Sequence, residues 1–235
     1  MSSEKTEKTE GISRPRRVVV GTPVHAGEFL YIWYVDALMA TMHLARERNI
    51  EIVSSFTTGE LAHCRNKVIQ WAVERECDDV FFIDSDIGWM PEDFFRVLNW
   101  PEEVVTGAYV RRIDSPSLVF RTLRDEKPDE RGLVEIAYAG TGFMRIRRSA
   151  FTRMYEKARP YVRAEDHTRA VFEYRMQDEM LSEDIMFCRR WQSMRGRMFL
   201  DTKALVYHCG PKRFACKAEY IEKMVKERNA RSGGQ

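Results

Sequence analysis

Four apolar residues run directly into two carboxylates in the segment Val80-Phe81-Phe82-Ile83-Asp84-Ser85-Asp86. A short run of β-branched and aromatic residues with acidic residues on both sides predicts a strand that is buried on both faces of a parallel sheet. In open α/β sheets, ligands bind at the carboxyl ends of the strands. We therefore expect Asp84 and Asp86 to lie at a functional edge of the sheet.

The Asp-Ser-Asp segment has two interpretations. Carboxylate oxygens suit a Mg²⁺ or Mn²⁺ ion that also holds substrate phosphates. Alternatively, the segment only caps a helix that begins near Pro91, with Glu92 and Asp93 favouring its positive end. Because Asp-x-Asp alone is a weak motif, the rest of the chain has to decide between them.

Length and composition indicate a globular protein of one substantial α/β domain, with 235 residues, 44% hydrophobic and 31% charged. No apolar run approaches the roughly 20 residues that span a bilayer, and the first ten residues are polar, unlike a signal peptide. We therefore expect a cytoplasmic protein, or one of the host cytoplasm if a phage or virus encodes it.

The five cysteines are odd in number and form no C-x-x-C pair, so we expect reduced thiols. A zinc site from His208, Cys209 and Cys216 fits no standard ligand spacing. The net charge is only +2, but arginine-rich segments at 14–17 and 145–148, and Lys212-Arg213, favour phosphates locally.

Strands alternate with helices in the first half, which predicts a mostly parallel sheet with helices on both sides. The predicted strands are 17–23, 51–56, 80–83 and 104–109, and the predicted helices are 28–49, 61–73 and 92–98. Gly21-Thr22-Pro23 predicts a tight turn after the first strand, where a nucleotide usually lies. Arg65 and Asn66 point toward the same edge as Asp84, unless they belong to a solvated helix face.

The second half is less regularly wound. Segments 117–123 and 133–138 predict a β-hairpin, and Gly140 and Gly142 mark either a close ligand approach or a β-bulge. The polar segment 158–177 is a candidate mobile loop over the site. Ser182 is the predicted N-cap of a helix with Glu183 and Asp184 in its first turn. The remaining predictions are strands at 196–200 and 203–207, a helix at 218–229, and disordered tails at 1–14 and 231–235.

The order of these segments resembles the GT-A family of nucleotide-sugar glycosyltransferases, in its compact, family 2-like bacterial, phage and viral form. The resemblance covers about 16–210 and implies a Rossmann-like, mostly parallel sheet flanked by helices, with a smaller mixed β half on the acceptor side. It also implies one domain at 15–210, divided into a nucleotide-binding half (15–112) and an acceptor half (113–210). A C-terminal helix and tail follow at 211–235.

The resemblance implies a role for each matching residue. The implied metal ligands for Mn²⁺ or Mg²⁺ are Asp86, Asp84 and His208, and the implied catalytic residues are Asp184 as base and Glu183 second. The implied donor-binding residues are Thr22, Pro23, Arg65, Asn66, Asp84, Ser85 and Gly142.

The implied function is a metal-dependent glycosyltransferase (EC 2.4 class) that moves a sugar from a nucleotide-diphosphate sugar, with UDP-sugar favoured, to an acceptor hydroxyl with inversion. In a retaining enzyme, Asp184 would orient or stabilise instead. The acceptor is open between a glycan and modified DNA, among others. The alternatives are a nucleotidyltransferase, whose basic Gly-rich loop is missing from 21–27, and a catalytically silent nucleotide-sugar-binding protein. The sequence has no Q-x-x-R-W signature of processive synthases, and we expect no membrane span.

Overall fold

The computed structural model describes residues 14–24, 29–113, 117–123, 127–176, 180–210 and 212–232. Apart from Arg14 and residues 231–232, the two tails that the sequence predicts to be disordered lie outside these ranges.

Six helices lie within the described ranges: α1 (Ile32–Glu47), α2 (Leu61–Glu74), α3 (Pro91–Asn99), α4 (Arg148–Lys157), α5 (Glu183–Ser193) and α6 (Ala218–Ser232). The strands, in chain order, are β1 (Arg16–Val24), β2 (Ile50–Thr58), β3 (Asp79–Ile83), β4 (Ile87–Gly88), β5 (Val104–Ala108), β6 (Phe120–Thr122), β7 (Leu133–Ala139), β8 (Phe143–Arg147), β9 (Pro160–Arg163), β10 (Asp166–Arg169), β11 (Arg175–Met176), β12 (Met180–Leu181), β13 (Phe199–Leu205), β14 (Tyr207–Cys209) and β15 (Arg213–Ala215).

Eight of these strands form the central sheet, in the order β2-β1-β3-β8-β5-β13-β7-β6. Strand β1 pairs in parallel with β2 and β3, and β13 pairs in parallel with β5. Strand β8 is inserted between β3 and β5 and runs antiparallel to both, and β7 runs antiparallel to β13 and β6. All strands except β7 and β8 therefore point the same way, which confirms the predicted mostly parallel α/β sheet and the predicted β6-β7 hairpin.

Two hydrophobic clusters cover the two faces of this sheet. Along β3, Val80 and Phe82 belong to one cluster, and Phe81 and Ile83 belong to the other. The first cluster packs against residues of α2, α4 and α5, whereas the second packs against α1 and α3. The alternation confirms that this apolar run is a strand buried on both faces, as parallel-type strands are.

The predicted turn at Gly21-Thr22-Pro23 is wrong, because β1 continues through these residues to Val24 in register with β2. Beyond Gly21, β3 no longer pairs with β1, so one side of the strand has no ladder partner and proline is tolerated there. A Cβ on Gly21 would lie 2.5 Å from Val68 Cγ1. The glycine therefore gives room to helix α2.

The segment 158–177 contains more structure than a loop. Strands β9 and β10 form an antiparallel hairpin, and Phe172 is buried with its ring stacked on Phe187 at 4.7 Å between centroids. Hydrogen bonds from Asn66 of α2 to Tyr161 and to the backbone of Phe172 hold this segment against the body of the protein. Mobility of this segment stays a prediction.

The described cysteines are all free and buried, as expected for reduced thiols. Among the described residues, no helix combines the length and the apolar character that crossing a bilayer requires.

Replacing Gly21 by alanine should destabilise the fold by about 1–3 kcal/mol, because the new methyl overpacks the β1–α2 contact. Val68 is β-branched, so its side chain cannot easily rotate away within a helix. Urea unfolding measures the change. As a control, Val68→Ala is combined with the glycine substitution, because it removes the opposing methyl groups. The double variant should then lose less free energy of unfolding than the sum of the two single losses. Additive losses would contradict this account.

Candidate active site

The carboxyl end of β3 lies beside β14, which is distant in sequence. The Asp84 amide donates to the Gly142 carbonyl at 3.0 Å. The Asp84 backbone carbonyl accepts from the Ile87 amide at 3.0 Å, which closes a turn. The two-residue strand β4 follows this turn and pairs with β14, so that Ile87 lies opposite His208. This pairing brings the late histidine next to the Asp-Ser-Asp segment.

The helix-capping interpretation of the Asp-Ser-Asp segment is wrong. Helix α3 does begin with Pro91 at its first turn and with Glu92 and Asp93 near its start, but its N-cap residue is Met90. Strand β4 separates the segment from the helix. The carboxylates of Asp84 and Asp86 are therefore free for another role.

His208 faces Asp86 in a defined tautomer. Its Nδ1 lies 2.8 Å from the carbonyl oxygen of Val110, which can only accept, so Nδ1 carries a proton. Its Nε2 lies 3.2 Å from Asp86 Oδ2, and both side chains are 17% exposed. In the neutral imidazole this arrangement puts the Nε2 lone pair next to a carboxylate oxygen, so that both atoms can contact one cation.

Arg112 is a member of this site that the sequence did not single out. Its Nη1 lies 3.2 Å from Asp86 Oδ2, and its side chain is 46% exposed. Arg112 follows β5, a strand parallel to β3 in the sheet. The rule that ligands bind at the carboxyl ends of parallel strands was the available signal, since it applies to the residues after every such strand.

Arg65 of α2 is a buried cation between two elements. It is 2% exposed, donates from Nη2 to Asp84 Oδ1 at 3.0 Å, and its Nε lies 3.5 Å from Glu183 Oε1. Burial acts to lower the pKa of Arg65, but the two carboxylates outweigh it and raise that pKa. Its Nε and Nη1 have no hydrogen-bond partner among the described residues. Arg65 thus fixes Asp84 while keeping donor capacity unused.

The Ser182-Glu183-Asp184 segment presents two different carboxylates. Glu183 is 4% exposed, and burial raises its pKa while Arg65 acts in the opposite direction. Asp184 accepts on Oδ1 from the Ile185 amide at 2.8 Å and from the Ser182 hydroxyl. Ser182 is the N-cap by position, but its hydroxyl does not cap the helix. One oxygen of Asp184 is therefore fixed, and no described residue hydrogen-bonds to the other.

Gly140 and Gly142 give room to a tyrosine of the protein itself. A Cβ on Gly140 would lie 2.3 Å from the hydroxyl oxygen of Tyr109, and one on Gly142 would lie 2.9 Å from the same atom and 3.0 Å from Asp84 Oδ2. The Gly142 amide donates to that hydroxyl at 3.1 Å, and burial raises the pKa of Tyr109. The glycine turn thus positions Tyr109 and Asp84 at the site.

Several predicted donor-binding residues are committed to the protein interior. Thr22 is fully buried, and its hydroxyl is hydrogen-bonded to the Tyr34 hydroxyl. Pro23 lies in β1, and Ser85 is 8% exposed. Asn66 donates to the Phe172 carbonyl at 2.9 Å and to the Tyr161 hydroxyl at 3.1 Å, and it accepts from the Phe172 amide at 2.7 Å. The side chains of Thr22 and Asn66 therefore hold the fold around the site.

The donor set fits a divalent cation with few protein ligands. No group of three or more His, Cys, Asp and Glu side chains converges on one point in the described part of the chain, but Asp86 and His208 form a pair. Mg²⁺ is commonly held by one or two carboxylates together with substrate phosphates and water, and a ligating histidine usually donates its other nitrogen to a carbonyl. The site also has more carboxylates than guanidinium groups. The carboxylates are Asp84, Asp86, Glu183 and Asp184, and the guanidinium groups are Arg65 and Arg112.

Neither a family model nor a curated protein matches the chain. Among solved structures, A197 from STIV is similar with a TM-score of 0.55 and 20% identity, covering 87% of this chain and 91% of that chain. This similarity shows that the two chains share a fold; an identity this low transfers no function.

Two named glycosyltransferases are more distant. A mutant of Drosophila β1,4-galactosyltransferase 7 in complex with manganese, UDP-Gal and xylobiose has a TM-score of 0.48 at 11% identity, covering 91% of this chain and 80% of its own. A glycosyltransferase involved in glycosylation of the major capsid of PBCV-1 has a TM-score of 0.34 at 14% identity, covering 59% of this chain and 63% of its own. At these TM-scores the two similarities carry no weight for the function of this chain.

Replacing Asn66 by alanine should lower the free energy of unfolding by about 2–4 kcal/mol, because it leaves the buried amide and carbonyl of Phe172 without their partner. Urea denaturation followed by circular dichroism measures the loss. Glu74→Ala, on the exposed face of the same helix, is the matched control and should change stability little. A loss below about 1 kcal/mol for Asn66→Ala would contradict an anchoring role.

Proposed function

We propose that this protein is a metal-dependent glycosyltransferase that moves a sugar from a nucleotide-diphosphate sugar to an acceptor hydroxyl. The observation that carries the proposal is the pair of Asp86 and His208 at the carboxyl edge of the sheet, 3.2 Å apart, with His208 Nδ1 fixed on the Val110 carbonyl. This pair suits a divalent cation, Mn²⁺ or Mg²⁺, that also needs oxygens from a diphosphate.

The leaving-group side of the site holds Asp86, His208 and Arg112. A divalent cation bound to Asp86 and His208 would supply charge stabilisation to the departing diphosphate. Arg112 adds a half-exposed guanidinium beside Asp86, where it can pair bidentately with phosphate oxygens. Arg65 holds Asp84 in place through the 3.0 Å contact between its Nη2 and Asp84 Oδ1.

The acceptor side of the site depends on Asp184. Its Oδ1 is held by the Ile185 amide, which leaves Oδ2 to accept the proton of the attacking hydroxyl. Attack on the sugar C1 from the face opposite the diphosphate forms the new glycosidic bond, breaks the bond to phosphate and inverts the anomeric centre. Glu183 is buried against Arg65, so we assign it to positioning that guanidinium rather than to proton transfer.

The site's chemistry favours this reaction over the two alternatives. A nucleotidyltransferase needs basic groups that cradle a triphosphate after the first strand, and segment 21–27 contains no lysine or arginine. A catalytically silent binding protein does not require a carboxylate such as Asp184, in which one oxygen is held by an amide and the other has no hydrogen bond to a described residue. We favour UDP-sugar as donor on the family resemblance, with a glycan or modified DNA as acceptor.

The first experiment screens UDP-, GDP-, CMP- and dTDP-sugars with and without Mn²⁺ by thermal unfolding. A donor about a hundredfold above its Kd should stabilise the protein by about 2.7 kcal/mol, a Tm rise of roughly 5–10 °C. Asp86→Asn should abolish the Mn²⁺-dependent part and weaken Mn²⁺ binding, measured by calorimetry, at least about tenfold.

The matched control is Glu92→Gln, an exposed acid a few residues further along the chain, which should leave both measurements unchanged. If no nucleotide sugar shifts the Tm with any metal, or if Asp86→Asn binds Mn²⁺ as the wild type does, the proposed function is wrong. A triphosphate that binds with metal while no sugar donor does would favour the nucleotidyltransferase.

Asp184→Asn should lower the rate of sugar transfer, or of donor hydrolysis with water as acceptor, by about 10²–10⁴-fold. The amide oxygen can still accept from the Ile185 amide, so the helix start and the donor-induced Tm shift should remain. Initial rates measure the loss, and NMR of the released sugar establishes the anomeric outcome. Glu74→Gln serves as the control for removing a carboxylate. A rate within about threefold of the wild type would assign the base elsewhere.

A further inference from the structure

Two arginine-rich segments far apart in sequence line one cavity of about 510 Å³. We call this cavity the basic pocket; its lining residues are Arg14, Arg16, Asp78, Asp79, Arg147, Arg148 and Ser149. It lies at the opposite end of the sheet from the candidate active site, since Asp79 begins β3 and Asp84 follows its last residue. At about 3.3 Å per residue, the two ends of β3 are about 16 Å apart.

The lining carries more positive than negative charge, and its carboxylates are already engaged. Arg14 donates to Asp78 with both terminal nitrogens, at 2.6 and 2.8 Å, and Arg16 Nε donates to Asp79 at 2.7 Å. Burial acts to raise the pKa of Asp78, but hydrogen bonds from Arg14 and from the Arg17 amide hold it below its usual range. Arg148 Nη2 also lies 4.0 Å from Asp78 Oδ1, so this one acid faces two arginines, and the lining as a whole has four arginines and two carboxylates.

Arg147 and Arg148 use only part of their donor capacity. Arg147 Nη2 donates to the Trp100 carbonyl at 2.9 Å, and Arg148 Nε donates to the Cys77 carbonyl at 2.7 Å. Arg147 Nε and Arg148 Nη2 are buried, and the hydrogen bonds to the described residues use neither Nη1. A guanidinium offers five N–H donors in a planar fork, so each of these side chains has donors left for a ligand.

The start of α4 adds backbone donors at the same place. Arg147 is the N-cap residue of this ten-residue helix and makes no side-chain cap, and Ser149, in its first turn, lines the pocket. The first amides of a helix lack intrahelical acceptors and favour anions. The Arg148 amide already donates to the Asp78 carbonyl at 2.9 Å, so the donors that remain begin at Ser149, beside the guanidinium groups of the pocket.

We propose that the basic pocket binds a phosphate anion, through Arg147, Arg148 and the start of α4, with Arg14 and Arg16 closing the other side. Phosphate is favoured over a carboxylate because several guanidinium forks and backbone amides can engage its tetrahedral oxygens at once. The phosphate can belong to a free anion or to a nucleic-acid backbone. The site is independent of the proposed reaction.

The test uses the full chain in a chloride buffer without phosphate, with inorganic phosphate and a single-stranded oligonucleotide as separate ligands. We expect each effective ligand to raise the Tm and to bind measurably by calorimetry. Arg147→Gln with Arg148→Gln should weaken binding by about tenfold or more. Circular dichroism and the Tm in chloride alone establish that this variant is folded. If it is not, Arg14→Gln, which removes an exposed side chain, should weaken binding severalfold.

Arg189→Gln, which changes an exposed residue of α5 outside the pocket, is the matched control and should bind inorganic phosphate as the wild type does. Arg112→Gln reports phosphate binding at the active-site edge instead. The proposal is overturned if Arg112→Gln, and not the pocket variant, loses phosphate binding.

The two ligands distinguish the sources of phosphate. Oligonucleotide binding that is much tighter than inorganic phosphate, falls with salt and depends on Arg147 and Arg148 assigns the pocket to a nucleic-acid backbone. Binding of inorganic phosphate with no gain from the oligonucleotide assigns it to a free anion. If neither ligand binds, or if the pocket variant binds both as the wild type does, the proposal is wrong.

Discussion

The candidate active site depends on one buried cation, Arg65. Its guanidinium is enclosed by protein, lies 5.3 Å from the centre of the Phe82 ring, and contacts the carboxylates of Asp84 and Glu183. An unpaired charge at this depth would be strongly destabilising, so the turn after β3 and the first turn of α5 must stay where their carboxylates balance it. The same contact therefore secures the fold and fixes the acids of the site relative to one another.

Around this cation, the site separates into a fixed part and an accessible part. Glu183 and the side chains of Thr22 and Asn66 are directed into the protein, whereas Asp86, His208 and Arg112 retain solvent access. A rigid inner layer with a small number of accessible polar groups is how binding sites keep their geometry before a ligand arrives. The proposed reaction needs this division, because the charge that develops on the departing diphosphate must be stabilised at fixed positions.

The sequence predicted the fold where local pattern and burial agree. The Val80–Ile83 strand, the helices α1, α2 and α3 and the hairpin of β6 and β7 follow from sequence pattern, whereas helix α4 was not predicted. The carboxylates after β3 follow from the rule on strand ends. The position of His208 beside Asp86 came from the family resemblance. Periodicity could not supply it, because β4 has two residues and its pairing with β14 is a tertiary contact.

The errors have physical causes of the same kind. Gly21 was interpreted as part of a turn, but the strand continues through it and the space that it leaves is used by Val68. At Gly140 and Gly142, the space beside the backbone is used by Tyr109. Sequence reveals that a side chain is missing but not what fills its place. The contacts of Asn66 with the segment after β10 could likewise not be predicted, because a buried amide that bonds to a backbone about a hundred residues away leaves no local signal.

The insertion of β8 between β3 and β5 has a consequence for how the chain acquires its structure. When the ribosome has produced β1 to β5, both the outer edge of β3 and the two edges of β5 still lack their partners, which come from β8 and β13. The centre of the sheet therefore closes last, from contacts between residues far apart in sequence, and such topologies fold slowly. Until then the nascent chain carries exposed strand edges, which are prone to pair with other chains. The two halves of this sequence therefore contribute strands to the same sheet, where β8 and β13 of the second half pair with β3 and β5 of the first.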